Sequence, residues 1–163
     1  MFGALLHLGY HALTKPVLFF AAGNLHQHYH TLDFRRIGRG VGRVLPGTAL
    51  VLTLAAIAVS GLPPFGLFVS ELTIVAGSFK GGAAWAGAVM LAALLVVFCG
   101  MLSKLSGLLL GPPPPEARPD ATPALHVLVT AGPLVALLVF SLWLPAPVRQ
   151  LLEQAAGIIG GTP

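Results

Sequence analysis

His7, His11 and Lys15 recur at intervals of four within an otherwise apolar stretch, and Glu71 is the only acid inside a second one. On a helix, a spacing of four returns to the same face, so the three bases form one stripe about 12 Å long at about 1.5 Å per residue. Histidines titrate near neutral pH, and a buried amine or carboxyl can load and release a proton when its surroundings change. Proton transfer through intervening water is the chemistry that this pattern can do. Ionisable groups within apolar segments are costly unless they face protein or water, which makes them functional candidates by default. Plainer readings stay open beside this one. Lys15 can snorkel toward an interface, His7 can sit at one, and Glu71 can belong to a structural ion pair. Lys104, in a third apolar stretch, either extends a hydrophilic path or marks the cytoplasmic end of its helix.

The element that must position Glu71 is Gly61-Leu-Pro-Pro-Phe-Gly-Leu-Phe-Val-Ser-Glu71, set inside an apolar run from Pro46 to Phe79. A helix crosses the hydrocarbon core in roughly 20 residues, and this run is roughly 34 long. Pro63 and Pro64 remove two backbone donors, while Gly61 and Gly66 permit the dihedrals of an unwound link. The run therefore reads as one discontinuous helix, 46–60 plus 65–79. Its broken link must be buried in protein or line a water-filled cavity, because lipid cannot satisfy the freed backbone groups. Glu71, about a turn into the second half, would point into that cavity.

Composition places the chain in the membrane class on separate grounds. It has 163 residues, 56% hydrophobic and 9% charged, with a mean hydropathy of +0.88, whereas a soluble domain carries about a quarter charged residues. A net charge of +4 would suggest nucleic acid for a soluble chain. Here Arg35, Arg36, Arg39 and Arg43 cluster in one loop, which points to membrane topology and to no nucleic-acid partner. Cys99 is the single cysteine, so it allows no intramolecular disulfide and reads as a small buried hydrophobe. The alternating His26-Gln-His-Tyr-His30 lies in a loop without further ligands at metal spacing, so no metal is assigned. No phosphate-binding loop, nucleophile elbow, iron-sulfur or haem motif occurs, and no cofactor is called for.

In chain order, the reading is all-α with about four transmembrane segments, the second discontinuous. The crossings are 3–25, 46–60 plus 65–79, 83–103 and 124–144, with loops at 26–45 and, Pro-rich, at 111–123. A tail helix over Val148–Ile159 would lie at the interface. The arginines place the long-loop side in the cytoplasm and both ends of the chain outside. Four thin helices offer little interior for ionisable groups, so an upstream portion is expected.

With Leu6-His-Leu-Gly-Tyr-His-Ala-Leu-Thr-Lys-Pro-Val-Leu-Phe-Phe-Ala-Ala-Gly-Asn24 and Gly61–Glu71 in view, the chain resembles the proton-conducting antiporter-like membrane subunits. These occur in complex I, multisubunit sodium/proton antiporters and energy-converting hydrogenases. Within them it is most similar to the hydrogenase-4 component F branch, which Thr31 to Asp33 and the Leu-Pro-Ala-Pro147 tail also resemble. The family fold contains two inverted repeats, each with a broken helix, and the present segments resemble its last four helices.

By motif, the resemblance makes Lys15 the relay lysine, with His7 and His11 beside it, and places Glu71 in the second broken helix, where proton exchange with one side occurs. It implies the C-terminal portion of a larger subunit without a redox centre, in an oxidoreductase complex of the inner cell membrane. The implied partners are other membrane and peripheral subunits, the lipid bilayer, and protons or sodium ions. A secondary cation/proton antiporter subunit, or a vestigial fragment without transport, is the alternative.

Overall fold

A computed structural model describes residues 1–113 and 123–161, which form eight helices and no strand. The remainder of the predicted Pro-rich loop, with Arg118, lies outside the described residues. The helices are α1 (Phe2–Tyr29), α2 (Phe34–Ile37), α3 (Val41–Val44), α4 (Pro46–Val59), α5 (Gly66–Lys80), α6 (Ala84–Leu109), α7 (Ala124–Leu142) and α8 (Ala146–Gly160).

Local chemistry sets the ends of these helices. α1 runs past the predicted 25, through the alternating histidines, and stops where His30 takes a left-handed conformation and donates its N–H to the His26 carbonyl at 2.8 Å. His26 and His28 are thus helical, which corrects the expectation of a loop there; no Pro or Gly breaker stands between Leu25 and His30. The Asp33 side chain caps α2 by accepting the Arg35 N–H at 2.9 Å. Pro46 opens α4 from a first-turn position, where its missing N–H costs nothing. α6 continues beyond the predicted 103 to Leu109, because its first Pro signal comes only at Pro112. Lys104 is therefore inside a helix rather than at its end.

α1 is the central element, packed against α4, α5 and α7, with α8 lying on its flank and α6 held mainly by α5. One core joins Leu6, Tyr10 and Val17 of α1 to Ala55 of α4, Leu67 of α5 and Leu137 of α7. A second core closes one end of the bundle, where Ile37, Val41 and Leu45 of the arginine-bearing segment cover Ala21, Leu25 and Leu108. Between the two, the Asn24 amide stands 3.5 Å from the hydroxyls of both Thr48 and Thr130, so a buried polar node ties α1 to α4 and α7.

α6 and α7 are each long and apolar enough to cross a membrane, yet only 6% and 17% of their most apolar stretches are buried within the chain. Helices apolar all round and so exposed need lipid or further protein around them, since water would leave that surface unsatisfied. Trp85 and Trp143 are 74% and 69% exposed. They stand at the start of α6 and the end of α7, as interfacial aromatics do.

Candidate functional site

The interruption between α4 and α5 falls at the Gly and Pro cluster. α4 ends at Val59, Gly61 has φ +67°, and α5 restarts at Gly66. The exposed N-terminal amides of a restarting helix need acceptors. That of Gly66 donates to Ser141 Oγ of α7 at 2.6 Å, while Ser141 donates to the Leu137 carbonyl one turn back. Tyr10 of α1 anchors the same corner by donating to the Phe140 carbonyl at 2.9 Å. A Cβ at Gly66 would collide with the Tyr10 ring, so only glycine lets α5 start this close to α1.

Glu71 is 6% exposed, and the carboxylate lies directly against Gly61, where a Cβ would overlap it. It borders a cavity of about 230 Å³ between the α4–α5 link and α6, walled by Leu62, Phe68, Leu72, Leu94 and Phe98. Among the described residues the ion pairs are Asp33–Arg36 and Arg149–Glu153, both exposed; Glu71 belongs to neither.

His7 is half-buried, and its Nδ1 lies 3.2 Å from Oγ of the fully buried Ser70 on α5. Its ring stacks on that of His11, with centroids 5.6 Å apart and planes inclined by 20°. The predicted stripe is thus a physical contact at its first two members. Lys15, one turn further along α1, is exposed and precedes Pro16, which leaves the Ala12 carbonyl without its helical donor. Lys104 is exposed on α6 and does not line the Glu71 cavity.

The sequence-predicted residues therefore fall into two groups. His7, with His11 stacked on it, meets α5 at Ser70, whereas Glu71 and Gly61 border the cavity against α6. Successive residues on a helix point about 100° apart, so Ser70 and Glu71 face different neighbours. Ser70, Tyr10, Ser141 and the Asn24 node went unnoticed in the sequence; the signal for Asn24 was an amide inside an apolar helix. No group of three metal-ligating side chains occurs among the described residues.

Residues 1–110 match the family described as NADH:quinone oxidoreductase/Mrp antiporter, transmembrane. The chain is 31% identical over 164 aligned positions to a hydrogenase-4 component F homolog of Methylacidiphilum infernorum, covering 96% of this chain and 29% of that protein. It is 39% identical over 75 residues to NAD(P)H-quinone oxidoreductase chain 4-2 of Synechocystis, covering 46% of this chain and 13% of that one. Among solved structures, a chain of the Mrp complex from a Dietzia species superposes with a TM-score of 0.80 at 22% identity, over 96% of this chain and 37% of that chain. The chain thus spans about a third or less of the length of these relatives. With the fold shared over nearly its whole length and two thirds of its residues matched, the chain belongs to the NADH:quinone oxidoreductase/Mrp antiporter transmembrane family.

Proposed function

We propose that the chain is the C-terminal part of a proton-translocating subunit of a redox-driven complex in the inner cell membrane. It crosses the bilayer in α1, in α4 and α5 together as one discontinuous crossing, in α6 and in α7, so that residues 1–163 form a single transmembrane region. The names of the hydrogenase-4 and NAD(P)H-quinone oxidoreductase relatives support a redox-driven assembly, in which other membrane and peripheral subunits are the partners.

The observation that carries the reading is Glu71: a buried carboxylate outside any ion pair among the described residues, beside a backbone break, at an apolar cavity. A charge held this way is unfavourable unless it is proton-exchanged or intermittently hydrated. Electron transfer in the peripheral partners changes charge or hydration near the membrane arm, and His7, His11, Lys15 and Glu71 hand protons on through water. Each step needs two states of differing proton affinity, not merely a polar side chain.

Lys15→Ala and Glu71→Ala in the full subunit test this. Proton pumping by inverted vesicles should fall about tenfold or more with the complex still assembled, since a positioned acid or base is worth a factor of about 100 in proton transfer. Unchanged pumping in both variants would leave a structural or vestigial role. The Mrp likeness in fold favours a second reading, secondary cation/proton antiport. Sodium-dependent proton movement without any redox partner would select it.

A further inference from the structure

Ser70 is fully buried, and its Oγ has two polar neighbours: the Leu67 carbonyl at 2.7 Å and His7 Nδ1 at 3.2 Å. A hydroxyl has one proton and two lone pairs. The carbonyl can only accept, and it is the nearer, so the hydroxyl proton goes there. Oγ then presents a lone pair to His7, and two lone pairs do not face each other at that distance, so Nδ1 must bear hydrogen.

We infer that Ser70 is a positioning residue that holds His7 as its Nδ1–H tautomer, so that His7 takes up and returns protons through Nε2 alone. The Nδ1–H to Oγ bond is the same for imidazole and imidazolium, which means that proton uptake at Nε2 breaks no contact on the Ser70 side. The His11 ring stacked on His7 opposes a ring flip that would put Cδ2 in place of Nδ1 against Ser70. Ser70 is a closed end rather than a carrier, because its proton rests on a backbone carbonyl. Glu71 follows it in the chain but turns toward Gly61 and the α6 cavity, so the route between His7 and Glu71 goes around Ser70. This rests on the proton-relay reading for its consequence, though not for its geometry.

The test is nitrogen-15 NMR of the histidine-labelled full-length subunit in lipid bilayers, with the His7 signal identified by its loss in His7→Gln. In the wild type, neutral His7 should carry its proton on Nδ1. Ser70→Ala should shift the tautomer ratio toward Nε2–H, and Ser70→Thr should restore it. A wild-type His7 protonated on Nε2 overturns the inference, as does a ratio unchanged in Ser70→Ala; the wild-type spectrum decides alone if the variant does not assemble. Proton pumping separates the two claims. A shifted tautomer with pumping intact in both Ser70→Ala and His7→Gln keeps the positioning role and removes His7 from the relay. Lost pumping with an unchanged tautomer does the reverse.

Discussion

A methyl group at position 61 would occupy the space of the Glu71 carboxylate, and the backbone there is left-handed, at φ +67°. Alanine in that conformation costs about 1–2 kcal/mol before any overlap is relieved. Gly61→Ala should therefore lower the thermal stability of the purified subunit and displace Glu71, with a loss of proton pumping. Gly100→Ala is the matching control: it lies within α6 with open space around it, so it should be neutral or stabilising by about 0.4–1 kcal/mol. At this scale the stripe of His7, His11 and Lys15 was legible, because a spacing of four needs only helical geometry. Ser70 was not, since a hydroxyl in an apolar helix can satisfy itself on its own backbone and leaves no periodic trace.

Among the elements, α5 owes its starting point to another helix. Its first amide is satisfied by Ser141 of α7, a residue 75 positions away. Ser141→Ala leaves that buried-edge N–H without its acceptor and should cost about 1–3 kcal/mol, read as a lowered unfolding temperature. Ser106→Ala, which removes an exposed bond to the Ser103 carbonyl within α6, should stay within about 0.5 kcal/mol of the parent. The interruption itself was visible beforehand in Gly61, Pro63, Pro64 and Gly66. The helix ends that lack such breakers were not: α1 carries on through His28, and α6 carries on through Lys104.

For the molecule as a whole, the exposed apolar faces of α6 and α7 define where lipid or neighbouring protein must lie, and the arginine segment closes one end of the bundle. Arg35, Arg36, Arg39 and Arg43 are exposed there. Their charge predicts a cytoplasmic position for this end. With Cys99 first replaced by alanine, Arg36→Cys should react with a membrane-impermeant thiol reagent in inverted vesicles and not in intact cells. The opposite pattern would reverse the orientation of the entire chain.

Composition and breaker placement alone determined that this chain is helical, that it belongs in a bilayer, and that a few ionisable residues stand in its apolar segments. Those properties depend on solvent transfer and on backbone restrictions, which act residue by residue. Tertiary structure decided which of those residues share a space. It joined His7 to Ser70 across α1 and α5, and it turned the neighbouring Glu71 toward Gly61 and α6 instead. Such pairings arise from how helices distant in sequence cross and rotate against one another, and the spacing along any single helix carries no record of that rotation.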